Sequence, residues 1–283
     1  MRTEELRQIK DHVAPLAARL GRWAREQSDA NFRGDPGLEI GSKSSPSDFV
    51  TSVDLAVQER IVEDLSRTFP GYGLLGEESG LADVDTSEPV WVIDPIDGTH
   101  NFLRNYPGFC VSIGLVVEGR SVLGVIYDSV TDAVNWAVDG GGAWRDPSTG
   151  QGEAQRLRVS SREDIALSLL TTGFTTSAGK DPVTMNVFAA LQRSAAGCRV
   201  SGSACRDLTL VASGRVDVFF QHGIRPWDVA AGSVLVSEAG GKVHLELNGP
   251  DLTRSGPLII YTGVPAIVEQ ALAVREGVLA GAV

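Results

Sequence analysis

Two aspartates three positions apart form the strongest chemical signal in the sequence. Asp94 and Asp97 follow the apolar run at 90–93, with a proline between them and Gly98 directly after them. Because a proline makes a turn plausible at this point, both carboxylates can face one crevice at the end of a buried strand. Carboxylate oxygens are hard ligands of the kind that magnesium prefers, so this spacing predicts a divalent-cation site.

The residues after the second aspartate are suited to an anion. Gly98 lets the backbone approach a ligand closely, and a short helix could start at Thr99. Backbone N–H groups at a helix start attract phosphate. Asp, Pro and Gly are also common where a strand runs into an ordinary turn, so this segment alone leaves that alternative open.

Three further segments contain acidic residues that could join the aspartate pair. Glu77 and Glu78 lie between glycines and would by themselves form a solvated loop. Asp228 falls in the first turn of a predicted helix, where the helix dipole and capping also favour a carboxylate. Asp54 lies near another predicted helix start. What points to one site is their combination with the aspartate pair.

The charge of the chain restricts its function. The sequence has 283 residues and a formal net charge of −11. This charge argues against non-specific binding of nucleic acid, which depends on basic side chains. It would also repel an anionic substrate unless bound cations reverse the local field. The phosphate-binding hypothesis therefore requires metal ions.

The cysteines and the apolar runs indicate a cytoplasmic protein. The three cysteines, Cys110, Cys198 and Cys205, show no CxxC spacing and are expected to be reduced, buried thiols. None of them is followed six positions later by the arginine of a cysteine phosphatase. No run approaches the roughly 18 apolar residues of a membrane span, and no apolar signal core follows the N-terminus. We therefore expect no membrane partner.

The elements that position these residues change character along the chain. Apolar periodicity predicts helices over Leu6–Trp23 and Ser52–Phe69. An antiparallel meander then follows the first buried strand, with glycines at 140–142 ending it. Its strands are predicted at 110–117, 122–127 and 133–138. The second half of the chain alternates strands with helices. The strands are predicted at 168–172, 199–201, 216–220, 242–247 and 258–262, and the helices at 183–194, at 204–213, from 227 to the glycines at 240–241, and after 265. This order predicts a layered α/β (α+β) fold with a lobe at 1–150 and another at 151–283.

In their order along the chain, these segments resemble the signatures of the inositol monophosphatase family. The matching segments are KSSPSDFVTSVD (43–54), GEES (76–79), DPIDGTHNF (94–102), SGSA (201–204) and WDVAAG (227–232). The resemblance covers about residues 40–242. It implies an α/β/α/β/α sandwich of the sugar phosphatase type, Mg²⁺-dependent hydrolysis of a small phosphate monoester of a polyol or sugar, and a homodimer.

The resemblance also implies roles for individual residues. Those that would hold two to three Mg²⁺ ions are Glu77, Asp94, Ile96 through its backbone carbonyl, Asp97 and Asp228. Thr99, hydrogen-bonded to Asp54, would orient or deprotonate the nucleophilic water together with Glu77. Those that would contact the substrate are Asp97, Gly98, Thr99, Gly202, Ala204 and Gln221. Lys43 either faces this site or lies in solvent.

One substrate position departs from the family pattern. Members that process inositol phosphates commonly have glutamate where this chain has Gln221, and glutamine brings two donors and no charge. We therefore hypothesise a sugar phosphate with a different hydroxyl pattern, or a relaxed specificity. His222 is expected at the rim of the site, since the proposed ligands already supply enough oxygens.

Several alternatives remain open at this point. A fructose-1,6-bisphosphatase, a histidinol-phosphate phosphatase and a phosphatase of adenosine 3′,5′-bisphosphate would use the same metal ligands, so only the pocket discriminates. A haloacid-dehalogenase-type phosphatase needs Asp-x-Asp, whereas Asp94 and Asp97 have two residues between them. A regulatory, protein-binding role on the same fold is the alternative of a different class, although no proposed ligand has been lost.

Overall fold

The fold was analysed in a computed structural model that describes residues 1–34, 37–43, 49–79, 87–175, 179, 181–254 and 256–281. The helices in these ranges are α1 (Thr3–Phe32), α2 (Ser52–Thr68), α3 (Thr99–Leu103), α4 (Pro182–Ser194), α5 (Ala204–Ala212), α6 (Pro226–Glu238) and α7 (Pro265–Leu279). The strands are β1 (Ile40–Ser42), β2 (Phe49–Thr51), β3 (Gly73–Gly76), β4 (Val90–Asp97), β5 (Cys110–Val117), β6 (Arg120–Asp128), β7 (Ala133–Val138), β8 (Gly142–Pro147), β9 (Gln155–Arg156), β10 (Leu169–Thr172), β11 (Gly197–Val200), β12 (Val218–Ile224), β13 (Lys242–Glu246) and β14 (Leu258–Gly263).

Two mixed sheets organise the chain. The first has seven strands in the order β3-β4-β5-β6-β7-β8-β9, in which β3 and β4 are parallel and the remaining neighbours antiparallel. The second has five strands in the order β11-β10-β12-β14-β13, with β10 parallel to both of its neighbours. A small pair, β1 and β2, lies beside them.

The helices pack on these sheets in separate layers. Helices α1 and α2 cover one face of the seven-stranded sheet, where Val13 and Ile61 pack in one cluster with Trp91. Helices α5 and α6 lie between the sheets, so that Leu235 shares a cluster with residues of both. Helices α4 and α7 cover the outer face of the five-stranded sheet through residues such as Leu191. The expected α/β/α/β/α sandwich is thus confirmed.

Small residues bring α6 unusually close to the seven-stranded sheet. A side chain on Gly124 of β6 would collide with the backbone of Ala231, and one on Gly114 of β5 would lie 3.0 Å from the Ala230 side chain. Gly232 in turn leaves room for Leu208 of α5. The Ala-Ala-Gly run therefore seats α6 directly on the sheet, one turn after Asp228.

The division of the chain into two lobes at residue 150 stays a prediction. Strand β9 lies beyond that boundary but pairs with β8 in the first sheet.

Two of the three cysteines, Cys110 and Cys205, are buried as expected. Cys198 is only half-buried because β11 is an edge strand, and none of the three forms a disulfide. Among the helices described, none is both long and apolar enough to cross a bilayer.

Candidate active site

Three aspartates from distant parts of the chain meet between the seven-stranded sheet and α6. One carboxylate oxygen from each of Asp94, Asp97 and Asp228 lies within 4.8 Å of the others. Residues three apart in a regular strand point to opposite faces. The pairing of β4 with β5 is irregular between Asp94 and Asp97, and this irregularity lets both carboxylates face α6. The prediction of a turn at the intervening proline was wrong, because β4 continues through it to Asp97.

The electrostatics of this cluster favour a bound cation. Burial, followed by repulsion from neighbouring carboxylates, raises the pKa of Asp94 and Asp228 well above the usual value. Within the described ranges, no ion pair joins a basic side chain to any of the three aspartates. Buried carboxylates of one sign are costly unless a counter-charge is supplied. The donor set therefore fits a hard divalent cation such as Mg²⁺.

Asp97 is held by the first turn of α5. Its Oδ2 accepts hydrogen bonds from Ser203 Oγ at 2.5 Å and Cys205 N at 2.7 Å, while Oδ1 accepts from Ala204 N at 3.3 Å. Burial raises the pKa of Asp97 to about 6, and these hydrogen bonds oppose that rise. Sequence reasoning missed Ser203 and Cys205. A serine directly before a predicted helix is the signal that could have found the first of them.

Two glycines let the end of β4 pack closely against the loop before α5. Gly98, at the start of α3, has φ of +97°, and a Cβ on it would lie 3.1 Å from the carbonyl oxygens of Gly108 and Gly202. Gly202 itself has φ of +82° and packs against the Asn101 side chain. Any other residue at Gly98 would be both strained and crowded. The loop before α5 and the end of β4 are thus fitted to each other.

Glu77 lies beside the three aspartates and is paired with a lysine. It directly follows β3, whose last residue, Gly76, is opposite Ile93 of β4. Its charge raises the pKa of Asp94. Lys43 Nζ lies 2.8 Å from Glu77 Oε1 and 2.6 Å from Glu78 Oε1, and the two carboxylates raise the pKa of the lysine although burial opposes them. Lys43 thus faces the site, while residues 44–48 of the matching segment lie outside the described ranges.

Thr99 and Asp54 also come together at this edge. Asp54 lies in the first turn of α2 and is fully buried; its Oδ2 accepts hydrogen bonds from the backbone N and the hydroxyl of Thr51. Its Oδ1 is 3.3 Å from Thr99 Oγ1, which also lies 3.2 Å from the carbonyl oxygen of Ile96. Burial raises the pKa of Asp54. A hydroxyl between a carboxylate and a crevice can accept a proton and pass it on.

Gln221, a predicted substrate contact, lies on the five-stranded sheet. Gln221 of β12 is 8% exposed, and its side-chain amide packs against Gly173, just after β10. The next residue, His222, points to the other face of this sheet and contacts Thr184 and Tyr261. The predicted rim position of His222 is therefore corrected, because alternation along β12 turns it toward α4.

Comparison with known proteins decides the family. The family model described as "Inositol monophosphatase family" matches residues 6–274. This chain belongs to the inositol monophosphatase family. Among its relatives, "Nus factor SuhB" of Escherichia coli K12 is 37% identical over 259 residues, covering 91% of this chain and 93% of the relative. The sequence resemblance is thus confirmed.

Solved structures of the family share the fold. The extragenic suppressor protein SuhB of Bartonella henselae superposes with a TM-score of 0.81 at 30% identity, covering 95% of this chain and 98% of that one. Inositol monophosphatase from Anabaena has a TM-score of 0.76 at 33% identity, with 96% of each chain covered. Relatives named as enzymes and relatives named as factors are therefore similar to this chain over most of its length.

Proposed function

We propose that this protein is a magnesium-dependent phosphatase that hydrolyses a small phosphate monoester of a polyol or sugar. The observation that carries the proposal is the cluster of the buried Asp94 and Asp97 with the half-buried Asp228, which has no basic partner among the described residues. Such a cluster is a site for hard cations, and the Thr99–Asp54 pair lies next to it. Membership in the inositol monophosphatase family supports the same chemistry.

The proposed roles divide among the residues of the crevice. Glu77, Asp94, the carbonyl of Ile96, Asp97 and Asp228 would hold two to three Mg²⁺ ions. When bound, magnesium supplies Lewis acidity for an attacking water and for the oxygen that leaves. Thr99 would orient that water and pass its proton to Asp54. The backbone at Gly98 and Thr99 would face the phosphate, and Gly202, Ala204 and Gln221 would face the alcohol.

Thr99→Val tests the role of the hydroxyl. The variant keeps the shape of the side chain but removes the contact with Asp54, so kcat for inositol 1-phosphate is expected to fall about 10²- to 10³-fold with KM nearly unchanged. Steady-state phosphate release at saturating Mg²⁺ measures this. Thr209→Val is the matched control, since the Thr209 hydroxyl is buried and bonds Arg206 O within α5. Equal kcat values in the two variants would exclude a role for Thr99 in catalysis.

Gln221→Glu tests what sets substrate preference. A carboxylate accepts hydrogen bonds from hydroxyl groups at both oxygens, so the variant is expected to favour inositol 1-phosphate by about tenfold in kcat/KM relative to the other esters. The comparison requires fructose 1,6-bisphosphate, histidinol phosphate and adenosine 3′,5′-bisphosphate, the substrates of the rival phosphatases. Gln221→Met, of similar size but without hydrogen-bonding groups, is the control. An unchanged ranking would show that Gln221 does not determine specificity.

A second candidate function is a regulatory, protein-binding role. The observation that favours it is the name of the 37% identical relatives, "Nus factor SuhB", which describes a factor rather than an enzyme. The net charge of −11 makes a protein partner a better fit than nucleic acid. Pull-down with wild type and Asp94→Asn separates the roles: a binding protein retains its partner in the variant. Gel filtration of the same samples tests the expected homodimer.

A further inference from the structure

His222 joins three elements on the outer face of the five-stranded sheet. Its Nε2 lies 2.9 Å from the hydroxyl oxygen of Tyr261 on β14, and its Nδ1 lies 3.3 Å from Thr184 Oγ1 on α4. Thr184 also contacts Asp181, the residue that caps α4, with Oγ1 2.7 Å from the Asp181 carboxylate. A half-buried imidazole therefore connects β12 and β14 to the first turn of α4.

The directions of these hydrogen bonds define one protonation state. An ionised Asp181 can only accept, so the Thr184 hydroxyl must donate its single proton to it. Thr184 Oγ1 can then only accept from His222, which requires a proton on Nδ1. With that proton in place, a neutral imidazole accepts at Nε2, and the buried Tyr261 hydroxyl donates to it. In this neutral form every donor of the series Tyr261–His222–Thr184–Asp181 has its acceptor. A protonated His222 would keep the Nδ1–H bond to Thr184 but would no longer accept from the Tyr261 hydroxyl.

Helix α4 is also linked to the side of the crevice that faces the substrate. Phe188 of α4 packs edge-on against Phe174, with ring centroids 5.2 Å apart. Phe174 directly follows Gly173, on which the Gln221 amide rests. A movement of α4 would therefore reach Gln221 by two routes, through His222 on the same strand and through the 173–174 segment.

Charged groups from the neighbouring elements act on this imidazole. Arg275 of α7 lies over the Tyr261 ring and pairs with Glu246 of β13 through Nη2 at 2.7 Å, while His244 contacts the same glutamate. Burial lowers the pKa of His222, with Arg275 acting in the same direction and Glu246 and Asp181 against it. The imidazole is thus neutral at pH 7.

We propose that neutral His222 is a positioning residue that fixes α4, and with it Gln221, in the substrate-binding arrangement, and that protonation of His222 weakens this arrangement at its contact with Tyr261. The inference rests on the proposed function, because Gln221 is taken to contact the alcohol. A proton on Nε2 would make the Tyr261 oxygen the acceptor, so the buried Tyr261 hydroxyl proton would lose its partner, and it would place a second positive charge near Arg275. Substrate binding, rather than the chemistry at the carboxylates, should therefore weaken as the pH falls.

The test compares KM and kcat from pH 5 to pH 8 in wild type and four variants. Tyr261→Phe, Thr184→Val and His222→Gln each break the series, and Ser194→Ala on α4 removes a hydroxyl bonded only within that helix. Each of the first three is expected to raise KM about fivefold at pH 8, with kcat within twofold of wild type. The KM ratio of Tyr261→Phe to wild type should fall toward one as the pH drops below the lowered pKa of His222, because wild-type His222 then no longer accepts from Tyr261. The KM ratio of Thr184→Val to wild type should persist, because the Nδ1–H bond survives protonation. Ser194→Ala should match wild type throughout.

Three outcomes overturn the inference, and a fourth refutes the proposed function with it. A KM ratio of Tyr261→Phe to wild type that does not change with pH, or an effect of the variants on kcat alone, shows that these residues are merely structural. An ¹⁵N spectrum of the histidines that shows His222 as the Nε2–H tautomer, assigned by its loss in His222→Gln, contradicts the hydrogen-bond series itself. A wild type that hydrolyses none of the esters refutes the proposed function and the inference together, whereas hydrolysis with a constant KM ratio of Tyr261→Phe to wild type refutes the inference alone.

Discussion

Asp94→Asn is expected to abolish phosphate release and, at the same time, to stabilise the metal-free protein at pH 8. The loss follows because Asp94 would contribute to both main metal positions, and losing several kcal/mol of charge stabilisation costs at least about a thousandfold in rate. The gain follows because burial and three neighbouring carboxylates raise the pKa of Asp94, so its charged form destabilises the fold. Replacing the carboxylate by an amide removes that cost, and each kcal/mol gained in the free energy of unfolding raises Tm by about 2–4 °C.

Thermal unfolding of wild type and Asp94→Asn, each in chelator and in Mg²⁺, tests both the loss of metal binding and the gain in stability of the metal-free variant. Wild type should gain stability from Mg²⁺, and Asp94→Asn should lose most of that gain. Asp128→Asn is the matched control: Asp128 is equally buried, but its carboxylate accepts from Val130 N at 3.0 Å and Thr131 Oγ1 at 2.8 Å. The control should remain active and unfold at a lower temperature. An active Asp94→Asn, or one that is less stable than wild type in chelator, would count against the metal site.

Asp207→Asn is expected to stabilise the protein at alkaline pH but not at acid pH. Asp207 is 1% exposed in α5, its Oδ1 has no hydrogen-bond partner in the described structure, and burial raises its pKa to about 7. In the unfolded chain this carboxyl ionises near its ordinary pKa of 3.8. Folding therefore requires proton uptake between these values, so wild-type stability falls from about pH 4 to pH 7 by up to a few kcal/mol. An asparagine does not titrate and avoids this loss.

Urea unfolding in chelator at pH 5 and pH 8 measures the effect. Part of the loss in wild type has already occurred at pH 5, so the stability of Asp207→Asn relative to wild type should increase further, by about 1–3 kcal/mol, between pH 5 and pH 8. Asp217→Asn provides the contrast, because the buried Asp217 accepts from Leu169 N at 2.7 Å and from Ser160, so its variant should be destabilised. A stability difference between Asp207→Asn and wild type that is the same at both pH values would mean that Asp207 remains ionised in the fold.

Elements with strong local signals were predicted well from the sequence. The strands at 110–117 and 133–138 have the predicted bounds, because β-branched and aromatic residues fill them and glycine-containing turns end them. Helix α2 starts as predicted, where Thr51 caps it through Val53 N and Asp54 N. These boundaries depend on neighbouring residues alone, so one sequence contains the information.

Elements stabilised by distant contacts were missed or misplaced. Strand β3 has only four residues, two of them glycine, and exists because it pairs with β4. Strand β8 begins at Gly142, where glycines were expected to end the meander; its pairing with β7 continues the sheet. Helix α1 runs to Phe32 rather than Trp23, since Ser28 and Asn31 bond the carbonyls of Phe102 and Leu103.

The same distinction holds for the candidate site. Residue types and motif spacing were enough to choose Asp94, Asp97 and Asp228, which the structure brings together. The support of Asp97 by Ser203, and the position of His222 on the far side of β12, depend on how α5 and the second sheet pack. Such packing cannot be read from neighbouring residues. The catalytic roles themselves stay predictions.

The most direct test of magnesium-dependent phosphatase activity is inorganic phosphate release from a panel of esters by the purified protein. The panel contains inositol 1-phosphate, fructose 1,6-bisphosphate, histidinol phosphate and adenosine 3′,5′-bisphosphate, each assayed in Mg²⁺ and in chelator, with Asp94→Asn as the blank. The account predicts release from at least one ester that requires Mg²⁺ and is lost in the variant. No release from any ester by a folded protein that still binds Mg²⁺ would contradict it and favour the binding role.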